Sequence, residues 1–276
     1  MLQWRWLAPV SPLEGDLVGP PTGCACCGPF PRFKISLPAT RIGNRMDERR
    51  IAELLAPFLT DRVGGGGERP PQDRDAAVLS SHQLRSILMY IDILLRWNNR
   101  ISLTAVREPD EIVTRHFGES LFTALRLFPE PVRASKQMPH LIDVGSGAGF
   151  PGLPIKIWSP HTRVTLIESN QKKAIFLREV VRSLKLGGVD IFANRAETFP
   201  KSTGDAVTLR AVERFESVLP VAAGLVGSSG CLAILAGGSQ KYRIRELLPA
   251  MKWDEPARLP LSSNRVLIMG RKESEM

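Results

Sequence analysis

Cysteine is scarce: there are four in 276 residues, with Cys24, Cys26 and Cys27 crowded together and Cys231 alone in an expected strand. That spacing builds no disulfide framework and, with no Cys/His pair following, no structural zinc site. A reducing, cytoplasmic setting fits it best. No apolar run reaches the roughly 18 residues that a membrane span needs, so no membrane association is expected. The first residues carry tryptophans and prolines but no apolar core followed by a small-residue cleavage site, so no signal peptide is read. Ser/His/Asp and Cys/His constellations are missing too, as is any metal-ligand cluster, so neither nucleophilic nor metal-assisted chemistry is indicated.

What is present is an ordinary globular composition, 43% hydrophobic and 24% charged, enough for one α/β core and a modest second unit. The net charge is +9 with a pI near 9.8. Between Lys156 and Lys185 seven bases (Lys156, Arg163, Lys172, Lys173, Arg178, Arg182, Lys185) face two acids, Glu168 and Glu179. A polyanion such as nucleic acid is the partner such a run suits.

Residues 1–45 carry prolines at 9, 12, 20, 21, 29, 31 and 38 and read as a poorly structured extension, with Met46 close to the expected natural start. Ile51, Leu54, Leu55 and Phe58 line one face of a helix that opens at Met46-Asp47-Glu48. Gly64–Gly67 with Pro70 and Pro71 reads as a flexible joint. A stronger helix follows, with Leu84, Ile87, Leu88, Ile91, Leu94 and Leu95 in one stripe and Ser80 or Ser81 as its cap. Pro109-Asp110-Glu111 starts another, running through Leu127. Residues 46–135 are thus expected to form a small helical cap. Beyond Pro139 strands and helices alternate, the signature of a mostly parallel sheet covered on both faces, over 136–276. Strands are expected near 140–144, 163–168, 189–193, 205–210, 230–235 and 265–269. Helices are expected near 152–158, 171–186, 215–226 and 240–250.

The chemistry concentrates in Leu141-Ile142-Asp143-Val144-Gly145-Ser146-Gly147-Ala148-Gly149-Phe150-Pro151-Gly152. An apolar strand runs into an acid, three glycines at alternate positions and a proline-marked helix start. Such glycines let backbone approach a nucleoside-like ligand closely, and the helix presents free N–H groups. Gly147 to Gly152 also fits the GxGxxG pattern of nicotinamide enzymes. The set Asp143-x-Gly145-x-Gly147-x-Gly149 instead fits S-adenosylmethionine enzymes, with Asp143 placed to meet a cationic amino-acid moiety. Glu168 ends the second strand, where an acid accepts from ribose hydroxyls. Asn194-Arg195-Ala196-Glu197 follows the third and would bracket an adenine edge.

The glycine segment, together with Thr165-Leu166-Ile167-Glu168-Ser169, resembles the bacterial 16S rRNA guanine-N7 methyltransferase family RsmG, formerly glucose-inhibited division protein B. So do Arg96-Trp97-Asn98, Leu103-Thr104-Ala105-Val106-Arg107 and Arg115-His116. The similarity runs from about Ser81 to the C-terminus. It implies a class I methyltransferase fold (Rossmann-like, α/β) with a small helical N-terminal subdomain. It also implies S-adenosyl-L-methionine as donor and N7 of a guanine in 16S rRNA, guanine 527, as acceptor, naked or within the 30S subunit or an assembly intermediate. Carried over by position, the cofactor contacts fall on Gly145, Phe150, Ala196, Glu197 and Arg210; the residue reading adds Gly147, Gly149 and Glu168. Arg115, His116, Lys172 and Lys173 are the RNA-binding candidates. Two departures stand out. The family's Lys-Gly pair after the fifth strand is replaced by Leu235-Ala236-Gly237-Gly238, with Lys241 the expected substitute. Leu209 precedes Arg210 where the family often has a small residue.

Guanine N7 carries a lone pair and no proton, so no general base is expected. A loop or partly unfolded nucleotide is the expected substrate form, because an A-form groove is too narrow to reach into. The protein is expected to be a monomer. Alternative readings are an NAD-dependent oxidoreductase, a zinc-dependent nucleic-acid-binding module using Cys24, Cys26 and Cys27, and a methyltransferase of this fold with a non-RNA acceptor.

Overall fold

The computed structural model describes residues 46–60, 78–128, 138–211 and 214–272. The expected extension 1–45 with Cys24, Cys26 and Cys27, and the glycine joint at 64–71, lie outside the described residues.

Among the described residues, four α-helices and one π-helical turn precede the sheet. Helix α1 (Glu48–Leu59) is capped by the Asp47 carboxylate, which accepts from Arg50 N at 2.7 Å. Helix α2 (Ser81–Asn98) starts in a capping box, Ser80 and Gln83 each satisfying the other's backbone N–H. The stretch expected as one helix from Pro109 to Leu127 is interrupted. It runs as α3 (Pro109–Ile112), a π-helical turn (Val113–Gly118) and α4 (Glu119–Leu127). Such widened turns gather at functional sites because they re-aim the side chains they carry.

The sheet strands are β1 (His140–Val144), β2 (Arg163–Ile167), β3 (Val189–Phe192), β4 (Gly204–Arg210), β5 (Val226–Gly237), β6 (Met251–Trp253), β7 (Ala257–Arg258) and β8 (Arg265–Lys272). Helices α5 (Gly152–Trp158), α6 (Gln171–Ser183), α7 (Phe215–Leu225) and α8 (Lys241–Leu247) connect them. The order is β3-β2-β1-β4-β5-β8-β6, with β7 beside β8. The first five strands run parallel and β8 pairs antiparallel with β5, β6 and β7. This is the class I methyltransferase arrangement that the resemblance implied. Two elements depart from expectation. Helix α8 stops at Leu247 because Pro249 disfavours helical backbone at Leu248. The residues after it form the short strands β6 and β7.

Side chains alternate across the sheet, so each strand feeds two cores. Leu141, Val164 and Ala206 pack under α2, α5 and α6 with the buried faces of α1 and α4. Ile142, Val144, Val207, Leu209, Ile234 and Ile268 pack under α7 and α8. The helices ahead of β1 therefore share one hydrophobic core with the sheet. No described helix is long and apolar enough to cross a membrane.

The strand order reverses between β1 and β4, and there the loops leaving the C-terminal ends of the strands part to leave a crevice. The glycine turn sits at that point.

Candidate functional site

A cleft of about 960 Å³ opens at the switch point. Its floor is the turn after β1. Gly145, Gly147 and Gly149 all hold positive φ (67°, 57° and 84°), the left-handed region that a side chain disfavours. Their roles differ. A Cβ on Gly147 would meet only the Gly145 carbonyl oxygen, at 3.7 Å, so this backbone stands bare to the cleft. A Cβ on Gly149 would press on the Tyr90 hydroxyl and lie 2.7 Å from Leu153, so that glycine serves packing and does not line the cleft. Gly152 likewise makes room for Asp143 and Leu166.

Two carboxylates shape the turn. Glu168, buried at the end of β2, accepts from Gly147 N at 2.9 Å and from Asn170 N at 2.7 Å. It lines the cleft while holding the glycine loop open. Asp143 is not where the expected contact with a cationic ligand requires it. It lies beneath the loop, 1% exposed, accepting from Thr208 Oγ1 at 2.7 Å and Gly152 N at 3.3 Å. Burial pushes its carboxyl up to about 6 against the pull of those hydrogen bonds. Asp143 thus ties β1 to β4 and α5.

Of the remaining expected cofactor contacts, Phe150, Ala196, Glu197 and Arg210 all line the cleft. Ala196 and Glu197 lie in a short 3-10 turn (Ala196–Thr198) after β3. Among the RNA-binding candidates, Arg115, His116 and Lys173 line the cleft, whereas Lys172 is exposed on α6 outside it. The basic run contracts as well. Lys156 is 4% exposed and donates to the Pro160 and Thr162 carbonyls at 2.6 Å each, so it is a structural cation.

Facing the glycine turn is a charged cluster that the sequence did not reveal. Arg210 Nη2, at the end of β4, donates to the Arg115 carbonyl at 2.7 Å and lies 3.0 Å from Glu119 Oε2. Arg265 pairs with the other Glu119 oxygen. Glu119 itself is 2% exposed, and burial pushes its carboxyl up while the arginines pull it back. Arg210 Nη1 is buried with no partner. A desolvated, unpaired guanidinium N–H beside a cleft is a binding position for an anion.

Arg210 Nη2 also approaches His116 Nδ1, at 3.2 Å. A guanidinium only donates, so Nδ1 accepts and the imidazole proton sits on Nε2, which donates to Thr104 Oγ1 at 2.8 Å. Burial and the positive charges of Arg210, Arg115 and Arg265 hold His116 down to about 3, leaving it neutral. Thr104 is placed by Asn98. That side chain accepts from Leu103 N (2.9 Å) and Thr104 N (3.1 Å) and donates to the Thr104 carbonyl (2.9 Å). Asn98 is therefore more than a helix end: it pins the loop that forms one wall of the cleft. Trp97 is partly buried in the core, edge-on to Phe176 at 5.8 Å.

The basic group beside β5 is not Lys241, whose ammonium lies over the Tyr242 ring at 4.8 Å and which does not line the cleft. It is Arg265, paired with Gly237 across the β5–β8 ladder. No sequence signal identifies Arg265, since its position follows from strand register. For Glu119 there was one: a single acid among Val113, Phe117, Leu121 and Phe122.

A family model described as rRNA small subunit methyltransferase G matches residues 83–264. The chain is 37% identical over 190 residues to ribosomal RNA small subunit methyltransferase G of Xylella fastidiosa (strain 9a5c), covering 67% of this chain and 85% of that protein. The protein of that name from Xanthomonas axonopodis pv. citri (strain 306) is 37% identical over 222 residues, 79% of this chain and 97% of its own. A third, from Bacillus cereus (strain B4264), is 33% identical over 209 residues, 70% of this chain and 84% of its own.

Proposed function

The chain belongs to the rRNA small subunit methyltransferase G family, and from that premise we propose that it methylates N7 of a guanine in 16S rRNA with S-adenosylmethionine held in the cleft at the end of β1. The observation that carries this reading is the turn itself, a bare Gly147 backbone held open by the buried Glu168.

The residues fit that cofactor. Gly145 and Gly147 leave room for close approach, Glu168 keeps lone pairs for hydroxyl groups beyond its two backbone bonds, and Ala196 with Glu197 borders the far end. The unpartnered Nη1 of Arg210 suits a carboxylate. Bound there, S-adenosylmethionine supplies an electrophilic methyl group on a sulfonium centre.

The chain's own work is alignment and exclusion of water. N7 attacks with its lone pair and releases no proton, so no residue needs to act as a base. The neutral His116 agrees with this, since it holds no imidazolium proton to give near pH 7, and Glu119 is committed to Arg210 and Arg265. The helices ahead of β1 act as a cap, contributing Leu103 to Val106, Arg115, His116 and Glu119 to one wall. Arg115 and Lys173 at the rim, with Lys172 on the exposed face of α6, are the proposed phosphate contacts. The substrate is met in the cytoplasm, as 16S rRNA in the 30S subunit or an assembly intermediate.

The test is methyl transfer to 16S rRNA, naked and in 30S subunits, with the nucleoside and its position identified by mass spectrometry. N7-methylguanosine is the expected product, and its absence from both substrates would overturn the acceptor. S-adenosylhomocysteine is expected to raise the melting temperature where NAD does not, and Gly147→Asp to abolish that rise.

A further inference from the structure

We infer that the imidazole face of His116 is the platform on which the acceptor guanine stacks. This rests on the guanine-N7 reading above and says where in the cleft the base lies.

The argument begins with a column of rings. Tyr90 and Phe150 are stacked with centroids 5.3 Å apart and planes 5° apart, and Phe150 and His116 follow at 4.8 Å and 26°. Phe117 closes the side of the column, edge-on to Tyr90 at 5.3 Å and to Phe150 at 5.2 Å. The column runs outward from the core. Tyr90 is fully buried and Phe150 is 7% exposed, whereas His116 is half-buried and lines the cleft. Its ligand-facing end is therefore the imidazole.

The ring is also fixed in place. Both nitrogens are engaged, Nε2 with Thr104 and Nδ1 with Arg210. Neither edge has a hydrogen bond to spare for a ligand, so what His116 offers the cleft is its π face. Among the described residues its one ring partner is Phe150. A π face with a pinned orientation is what a splayed-out base requires, because every base has a face to stack.

Charge supports the same assignment. Methylation forms the N7–carbon bond, returns the carbon–sulfur pair to sulfur and leaves the purine positively charged. An imidazolium would repel that developing cation, whereas a neutral ring attracts it. Burial, helped by the surrounding arginines, keeps His116 neutral through the working pH range. Glu119 meanwhile offsets the two guanidinium groups nearest to it.

Three substitutions decide the matter, assayed on 30S subunits at saturating S-adenosylmethionine. His116→Phe keeps the stacking face and loses both hydrogen bonds. His116→Asn keeps hydrogen-bonding groups and loses the face, and His116→Leu loses both. Stacking predicts a fall in kcat/KM for RNA of about 10- to 100-fold in Asn and Leu, with Phe restoring most of it. The melting shift with S-adenosylhomocysteine is expected unchanged in all three, which also shows that each variant folds. A Phe variant as poor as Leu, or an undiminished Leu variant, would overturn the platform, and the first result with a healthy Asn variant makes His116 a hydrogen-bonding hub. A melting shift that declines in step with activity would move the ring to the cofactor. Failure of the wild-type chain to make N7-methylguanosine would instead sink the functional reading itself.

Discussion

Arg210 and Glu119 meet at 3.0 Å, joining the end of β4 to the first turn of α4. The pair is buried, with side chains 11% and 3% exposed, so its removal is unlike the loss of a surface ion pair. Glu119→Ala leaves the guanidinium of Arg210 and that of Arg265 without their shared carboxylate. A loss of about 3–5 kcal/mol is expected, measured by urea unfolding at pH 7. A loss below about 1 kcal/mol would show that the pair is replaceable by water.

The two glycines at 147 and 149 share a backbone conformation and differ in surroundings. Gly147→Ala is expected to cost about 1–2 kcal/mol from positive φ alone, since its Cβ meets only the Gly145 carbonyl oxygen, at an ordinary contact distance of 3.7 Å. Gly149→Ala adds the collision with Tyr90 and Leu153, about 1–3 kcal/mol more. Ligand response separates them in the opposite sense. At Gly147 the melting shift with S-adenosylhomocysteine falls at modest cost in stability, and equal costs at the two sites would refute the distinction.

His116 contributes to stability in a pH-dependent way. Its folded pKa, about 3, lies below the 6.5 of an unfolded histidine. Between those values the unfolded chain binds the proton that the folded chain refuses. The contribution is therefore complete above about pH 6.5 and is lost as pH falls toward about 3. His116→Phe removes this dependence. Melting curves of both proteins from pH 7.5 to pH 5 are expected to show the wild type losing ground to the variant on acidification.

Helix α6 and the turn after it carry Lys172, Arg178, Arg182 and Lys185 on their exposed side, none of them within ion-pair distance of a carboxylate among the described residues. If these cations hold phosphates, replacing Lys172, Arg178 and Arg182 by alanine weakens rRNA binding. The slope of log K against log salt then shrinks by about 0.7–0.9 for each phosphate no longer neutralised. The melting shift with S-adenosylhomocysteine should not change. A salt slope equal to the wild type would place the RNA elsewhere.

Local structure was largely legible in the chain. The stripe from Leu84 to Leu95 with Ser80 as cap yields α2, and the run Leu141 to Gly152 yields β1, its turn and α5. These depend on residues within a turn or two of each other: periodic burial, a capping hydroxyl, a glycine where φ must be positive. The π-helical turn at Val113–Gly118 was not legible, because its residues suit an ordinary helix equally well. It packs against α1 and aims Arg115 and His116 into the cleft.

By itself, then, the order of amino acids determined the alternation of strand and helix and the positive-φ glycine turn from Gly145 to Gly149. It determined none of the pairings across the cleft. That Glu168 props the turn, that Asp143 is buried beneath it and that Arg265 stands beside Gly237 were decided only when distant segments packed. Charge on a side chain is written in its residue name, but its partner is set by sheet register and helix placement, which arise from the whole buried core at once.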